Sequence, residues 1–185
     1  MIITIEGKPA SGKTTICIKL IEKLKNEKTY KLCGFITREI RDSGGTRIGF
    51  EIVTLQGERA ILADIYQKTP FKVGKYFVRV DNIDKSAIAE IEKFLKNECE
   101  IIIIDEIGKM EMLSSRFQYV MAKILNYNRG LIICTLPIVD FHPLVNAFRI
   151  KSDKRFFLEK GKFNSEVVAE EIFRTIQKQR IKYKN

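Results

Sequence analysis

The sequence has few cysteines, and none of them has the C-x-x-C spacing typical of zinc sites and redox pairs. The four are Cys17, Cys33, Cys99 and Cys134, which lie far apart in the chain, each among apolar residues. We therefore expect neither a zinc site nor a redox pair. The pattern predicts reduced thiols in the core of a cytoplasmic protein.

Long hydrophobic runs are also lacking, since the longest is about the length of a strand, which excludes a transmembrane helix. Met1 leads directly into a strand-like pattern without a basic leader or a small-residue cleavage site, so we expect no signal peptide. No repeat or low-complexity linker interrupts the 185 residues. We predict a single domain over residues 1–185, with 179–185 as a frayed basic tail, and no membrane contact.

Histidine is nearly absent as well. The single one, His142, lies beside Pro143 in a predicted loop, where a structural or polar contact is expected rather than catalysis.

The base-reading motif N-K-x-D is missing too, so the sequence does not specify a preferred base. It does not indicate an oligomeric state either.

Acidic residues are outnumbered, 23 against 33 lysines and arginines, for a net charge of +10. The stretch from Arg174 to Lys184 contains no acidic residue, and such a surface can attract nucleic acid. No RNA-binding signature accompanies it. We favour the interpretation that lysine-rich faces keep the protein soluble while part of the charge serves a phosphate site, and keep nucleic-acid binding as an alternative.

The most informative stretch is residues 7–14, which read G-K-P-A-S-G-K-T and fit the phosphate-binding loop (Walker A) pattern G-x-x-x-x-G-K-[ST]. The apolar run at residues 1–5 predicts a buried strand before it. Ile16, Leu20 and Leu24 predict a helix after it. Strand, loop and helix together predict a nucleoside-triphosphate site. The residues predicted to contact the phosphates are Gly7, Lys8, Pro9, Ala10, Ser11, Gly12, Lys13, Thr14 and Thr15.

Each residue type in this loop has a chemical reason. Gly7 and Gly12 allow the backbone N–H groups to turn inward around an anion. Lys13 is expected to stabilise the charge on the β- and γ-phosphates, and the Thr14 hydroxyl to ligate Mg²⁺. The predicted cofactor is therefore Mg²⁺.

A second motif follows the isoleucine run at residues 101–104, which predicts a buried parallel strand ending in an acid, the Walker B arrangement. We place Asp105 beside the strand of the phosphate loop, as a second Mg²⁺ ligand. Glu106 is predicted to orient the attacking water, which favours hydrolysis over transfer to a second substrate. Lys109 is the first candidate for a charge-stabilising cation, with Arg47 another. Thr135 is a candidate contact for the γ-phosphate or water.

The remaining pattern alternates strands and helices. Residues 32–55 predict a β-hairpin, residues 59–63 a short strand and residues 73–80 one further strand. Helices are predicted over 84–97, 114–125 and 164–179, with Ser114 as an N-cap.

These residues resemble one family. The loop G-x-P-x-x-G-K-T-T, the segment G-F-I-T-R-E-I-R at 34–41, R-I-G-F at 47–50, V-G-K-Y at 73–76 and D-E-I-G-K-M-E at 105–111 resemble the small nucleoside-triphosphatase family of thermophilic archaea and bacteria, whose human member is the cancer-related nucleoside-triphosphatase. Two features depart from its pattern. Ala10 stands where members commonly carry glycine, and residues 159–164 lack an Asn- and Arg-rich pattern.

The resemblance implies an α/β fold with three layers, a RecA-like P-loop core whose central sheet is mostly parallel, and an added antiparallel hairpin. It also implies slow, Mg²⁺-dependent hydrolysis of ATP, GTP, CTP and UTP to diphosphate and phosphate, with broad base tolerance. Besides the phosphate loop, the implied nucleotide contacts are Ile102, Ile103, Ile104, Asp105, Glu106, Ile107, Gly108 and Lys109.

Three other functions stay open. A small-molecule or nucleotide kinase shares this loop and size, although no arginine-rich lid follows the Walker B helix. A nucleic-acid-associated ATPase would use the basic tail. A nucleotide-gated binding module would bind without turnover.

Overall fold

The computed structural model describes residues 1–159 and 161–184, and of 180–184 it describes the backbone. The strands are β1 Ile2–Gly7, β2 Leu32–Arg41, β3 Arg47–Thr54, β4 Arg59–Asp64, β5 Lys72–Val73, β6 Tyr76–Val78, β7 Ile101–Asp105, β8 Leu131–Leu136 and β9 Lys154–Leu158. The helices are α1 Lys13–Asn26, α2 Val80–Asn82, α3 Ile88–Leu95, α4 Ser115–Leu125, α5 Pro143–Lys151 and α6 Ser165–Lys184. A π-helical turn, Ile83–Ala87, joins α2 to α3, and a 3₁₀ turn, Glu111–Leu113, precedes α4.

The nine strands form one mixed sheet in the order β5-β6-β4-β3-β2-β7-β8-β1-β9. The five strands from β2 to β9 in this order are parallel, and the other strands extend the sheet antiparallel from β2. The predicted α/β fold and its parallel central strands are confirmed. The antiparallel addition is larger than the predicted hairpin, because β4, β5 and β6 continue it.

Helices cover both faces of the sheet, which gives the predicted three layers. On one face α1 and α6 pack through Ile16, Leu20 and Ile172 against the buried side chains of β1 and β7. On the other face α3, α4 and α5 pack through residues such as Ile91 and Phe117. Strands buried on both faces explain the uninterrupted isoleucine run of β7, since neither face meets water.

The position predicted for Asp105 is wrong in one respect, because β7 does not lie beside β1. Strand β8 lies between them, with Ile132 opposite both Ile2 of β1 and Ile102 of β7. Neighbouring strands are about 4.8 Å apart, so the ends of β1 and β7 are separated by roughly 10 Å.

The single strand predicted over residues 73–80 is also wrong. The chain turns within it at Gly74, whose φ of +59° lies in the left-handed region that favours glycine, and so forms the two-stranded turn β5–β6. Val80 already begins α2. The residue types of this segment are typical of a strand, but they do not show where the chain turns.

The cysteine prediction is wrong for one pair. Cys33 and Cys99 form a disulfide, with their Cα atoms 5.9 Å apart. They meet because β2 runs beside β7, with Cys33 opposite Ile102, and because only Glu100 separates Cys99 from the start of β7. Cys17 and Cys134 are buried free thiols, as predicted.

The helix predicted at the end of the chain is α6, which continues through Lys184. The frayed tail stays a prediction, since Asn185 and the side chains from Arg180 onward lie outside the described residues. Within the described part of the chain, no helix combines the length and the apolar character needed to span a membrane.

Replacing Ser114 by alanine is expected to lower the free energy of unfolding by about 1–2 kcal/mol. The buried Ser114 hydroxyl caps α4 by accepting a hydrogen bond from Phe117 N at 2.9 Å, and donates one to Asp84 at 2.5 Å. Denaturant unfolding measures the loss. The exposed neighbour Ser115→Ala is the control, and an equal effect of both changes would contradict the capping role.

Candidate active site

The phosphate loop joins β1 to α1 in the predicted order. Its turn is held by the Ser11 N–H, which donates to Lys8 O at 3.1 Å. Gly12 precedes α1 with a φ of +94°. Ala10 has a φ of +58°, in the left-handed region that favours glycine. The N-terminus of α1 therefore faces the space that the loop encloses, which is the arrangement that binds anions at helix N-termini.

Lys13 is held inside this loop. Its side chain is only 7% exposed, and its ammonium group donates to Gly7 O at 3.1 Å and to Lys8 O at 3.3 Å. It also lies 3.5 Å from a carboxylate oxygen of Glu106. The structure therefore brings together the two residues predicted to be catalytic.

Asp105 is buried at the end of β7. The Thr135 hydroxyl donates to Asp105 Oδ1 at 2.6 Å, and the Thr37 hydroxyl donates to its backbone carbonyl at 2.7 Å. Burial raises the pKa of Asp105 to about 6, although the Thr135 and Thr14 hydroxyls act to lower it. Oδ2 has no hydrogen-bond partner within the described residues. A buried carboxylate oxygen without a partner is costly unless a cation or water satisfies it.

A second buried acid, Glu111, was not predicted as a site residue. It accepts a hydrogen bond from the Gly108 N–H at 3.2 Å, and burial together with the charge of Glu106 raises its pKa to about 8. A side chain at Gly108 would lie 2.7 Å from oxygens of both Glu106 and Glu111, so the two acids enclose this glycine. The only feature of the sequence that points to Glu111 is its place at the end of the D-E-I-G-K-M-E stretch.

The sequence did not predict the hydrogen-bond network that lies behind the phosphate loop. Glu6, just before Gly7, accepts hydrogen bonds from Arg149 Nε at 2.8 Å and from Arg155 Nε at 2.7 Å. Burial acts to raise the pKa of Glu6, but the bonds from Arg155 and Arg149 hold it below its usual value. Arg149 also bonds Asp140 and the carbonyl of Pro137. It thereby fixes the loop after β8 against the end of β1.

A cavity of about 930 Å³ opens above these residues. The phosphate loop, Asp105, Glu106 and Glu111 line one end. The hairpin residues Arg47 and Phe50 line the other. The volume lies in the range of small-molecule sites, which is about 300–1,000 Å³.

The other predicted residues fall into four groups. Lys109 and Arg47 line the cavity, and Arg47 is held by Tyr76 Oη at 2.9 Å and Glu39 at 2.6 Å. Thr135 takes part in the site through its hydrogen bond to the Asp105 carboxylate. The side chains of Ile102, Ile103, Ile104 and Ile107 are fully buried, so they position Asp105 and Glu106 from within the core. His142 caps α5 by accepting from Leu144 N at 3.2 Å, as its predicted structural role requires.

Replacing Asp105 by asparagine is expected to stabilise the protein without Mg²⁺ or nucleotide at pH 7.5. The pKa is about 6 in the folded protein, against about 3.9 in unfolded chains, so the proton binds the folded state more tightly. The stability contributed by the protonated form is present below pH 4 and is lost as the pH rises through 6. Asparagine resembles that form. The free energy of unfolding of the variant, relative to that of the wild type, should therefore increase by about 1–3 kcal/mol from pH 4.5 to pH 7.5.

Denaturant unfolding at the two pH values tests this expectation. A stability difference between variant and wild type that is the same at both would contradict the assigned cause.

Known proteins are similar to this chain in both sequence and fold. A family model described as NTPase matches residues 2–173. The chain is 46% identical over 133 residues to the nucleoside-triphosphatase THEP1 of Methanocaldococcus jannaschii, covering 71% of this chain and 76% of that protein.

Solved structures agree. The crystal structure of THEP1 from the hyperthermophile Aquifex aeolicus is 32% identical with a TM-score of 0.77, and the match covers 93% of this chain and 96% of that one. The solution structure of a human cancer-related nucleoside triphosphatase is 30% identical with a TM-score of 0.75, over 95% and 97% of the two chains. The chain therefore belongs to the nucleoside-triphosphatase family, as its resemblance predicted, and is an enzyme of that class.

Proposed function

We propose that the protein hydrolyses nucleoside triphosphates to diphosphate and phosphate with Mg²⁺ and broad base tolerance. The observation that carries the proposal is the convergence of Lys13, Asp105 and Glu106 at the end of the phosphate loop, with the 3.5 Å contact between Lys13 and Glu106. The triphosphate charge, the cation and the attacking water each have a residue of suitable chemistry there.

In this proposal the triphosphate binds the N–H groups of residues 7–15, and Lys13 moves from the Gly7 and Lys8 carbonyls to the β- and γ-phosphates. These bonds are to backbone oxygens of the loop itself, so a phosphate oxygen can replace them without unfolding the loop. The same movement breaks the ion pair with Glu106.

The residues present fit a magnesium ion. Within the described residues, the buried Asp105 Oδ2 has no hydrogen-bond partner, and carboxylate and hydroxyl oxygens are ligands of the hard type that Mg²⁺ takes. Thr14 and Asp105 would hold the ion, Asp105 directly or through water. When bound, Mg²⁺ neutralises charge on the phosphate oxygens. Thr135 fixes the orientation of the Asp105 carboxylate.

Glu106 is the group proposed to orient the water. Its side chain is 35% exposed and faces the cavity, whereas Glu111 is buried. The water oxygen attacks the γ-phosphorus, its proton passes to Glu106, and the bond from the γ-phosphorus to the bridging oxygen breaks. The electron pair leaves with the nucleoside diphosphate.

Base tolerance and location are also proposals. Tolerance rests on the lack of an N-K-x-D motif in the sequence. We place the protein in the cytoplasm, where nucleoside triphosphates are made and used. The likeness to THEP1 of the hyperthermophile Aquifex aeolicus supports this placement despite the Cys33–Cys99 disulfide, because intracellular proteins of hyperthermophiles often contain disulfides.

Phosphate release from ATP, GTP, CTP and UTP tests the proposal. We expect turnover of all four, within about tenfold of one another in kcat/KM, and loss of turnover with EDTA that excess Mg²⁺ restores. Turnover of one base alone would contradict the tolerance. Undiminished turnover in EDTA would contradict the metal requirement.

A further inference from the structure

The end of the cavity away from the phosphate loop contains more apolar surface than hydrolysis requires. Phe50 and Tyr76 meet edge to face with ring centroids 5.0 Å apart, and the Arg47 guanidinium lies 4.9 Å from the Phe50 centroid. Met110 and Phe141 line the cavity as well. Water is the only second reactant in hydrolysis, and it needs neither this volume nor these rings.

The sheet order places this end beyond the γ-phosphate. Going from the loop, the strands run β1, β8, β7 and β2, and Thr37 of β2 bonds the backbone of Asp105. A triphosphate whose terminal phosphate faces Asp105 and Glu106 therefore extends its ribose and base away from the hairpin. The apolar end lies on the side from which a nucleophile approaches the γ-phosphorus in line.

The charges around the cavity support an anionic or phosphate-bearing neighbour. Arg47 bonds Glu39 at 2.6 Å and shares this carboxylate with Arg41. Arg38 and Lys109 also line the cavity, and neither has an ion-pair partner among the described residues. Lys109 instead lies 5.9 Å from the Phe141 ring centroid. Arg38 and Lys109 thus bring positive charge to the cavity that no ion pair within the described residues neutralises.

We propose that this end of the cavity binds the nucleoside moiety of a second ligand, with its base against the Phe50 ring and the Arg47 guanidinium and its 5′-hydroxyl or 5′-phosphate directed at the γ-phosphorus. Rings and a guanidinium suit a planar base, and stacking tolerates different bases. The moiety can come from a nucleoside or from a nucleoside monophosphate, and Arg38 and Lys109 favour the monophosphate. The inference rests on the proposed triphosphate site.

A bound acceptor can replace water in the reaction. A hydroxyl oxygen of the nucleoside, or a phosphate oxygen of the monophosphate, forms the new bond to the γ-phosphorus, and the bond to the bridging oxygen breaks with its electron pair leaving on the diphosphate. A hydroxyl passes its proton to Glu106. The phosphate oxygen is already ionised and passes none. Transfer then competes with hydrolysis.

Calorimetric titration of the full chain with adenosine and with AMP, after saturation with Mg²⁺ and the non-hydrolysable analogue AMPPNP, tests the site. We expect both to bind to the saturated protein, AMP more tightly than adenosine. Phe50→Leu should weaken that binding about fivefold or more, because base–aromatic stacking is worth about 1–3 kcal/mol. Tyr119→Leu, the same type of change at an exposed ring on α4, is the matched control and should leave binding unaltered.

Label from γ-³²P-ATP is then followed by thin-layer chromatography. Label in AMP after adding adenosine, or in ADP after adding AMP, is the expected result, and label confined to inorganic phosphate would overturn the transfer. Displacement of adenosine and AMP by AMPPNP would show that the aromatic end holds the substrate's own base, and would overturn the second site. If AMPPNP itself does not bind, the proposed triphosphate site fails. If it binds and neither ligand follows, only the further inference fails.

Discussion

Replacing Lys13 by alanine is expected to reduce kcat by about 10²–10³-fold or more and to weaken triphosphate binding. Lys13 is the only lysine side chain that the described residues place inside the phosphate loop, at 7% exposure. The charge is held close to the site of the transferring group by two carbonyls rather than solvated, so little reorganisation is needed when a triphosphate enters. Alanine leaves that charge unreplaced.

The measurement separates binding from turnover. Binding of AMPPNP and steady-state phosphate release are compared with those of Lys19→Ala, which removes a lysine from the same helix that pairs instead with Glu166 at 2.8 Å. Lys19→Ala should retain both properties. Unchanged turnover in Lys13→Ala would contradict its role.

Lys13→Ala can also affect the fold, because it leaves Glu106 without its ion pair and the Gly7 and Lys8 carbonyls without a donor. Lys13→Met keeps most of the volume and serves as a second variant. If both retain the wild-type thermal transition and still lose turnover, the loss belongs to the charge and not to unfolding.

Most of the candidate site was predicted from local signals in the sequence. The phosphate loop, the acid that ends β7 and the Ser114 cap each depend on residues within a few positions of one another, so their chemistry can be recognised from the sequence. The same holds for the hairpin β2–β3, whose turn residues lie between two alternating runs.

Features that depend on strand order could not be recognised in this way. Strand β8 is inserted between β1 and β7 although it follows both in the chain, and no local pattern encodes that neighbour. Cys33 and Cys99 meet across 66 residues, and Arg149 reaches Glu6 across 143. Sequence spacing says little about such pairs, because the sheet and not the chain brings them together.

Glu106→Gln is expected to reduce kcat by about 10²–10⁴-fold, the contribution typical of a general base, while triphosphate binding becomes tighter by a few-fold. The amide keeps the shape of the side chain but cannot accept the proton of the attacking water. The tighter binding follows from the ion pair, because Glu106 lies 3.5 Å from Lys13 and competes with the phosphates for it. Removing the negative charge removes that competitor and a repulsion toward the triphosphate.

Glu111→Gln is the matched control for this change. Burial raises the pKa of Glu111 to about 8, so its carboxyl is mostly protonated at pH 7 and cannot act as the base. Glutamine is close in shape to that protonated acid and can still accept from the Gly108 N–H, so turnover should fall by less than about tenfold. Single-turnover phosphate release and AMPPNP titrations at pH 7 compare the two variants.

The two effects expected for Glu106→Gln have opposite signs, which distinguishes a catalytic role from a purely structural one. A residue that only supports the fold would lower kcat and affinity together, whereas a water-orienting residue that also restrains Lys13 lowers kcat and raises affinity. Turnover of Glu106→Gln as fast as the wild type would assign the water to another group. A larger loss in Glu111→Gln than in Glu106→Gln would assign it to Glu111 and would require its pKa to fall below 7 when the triphosphate is bound.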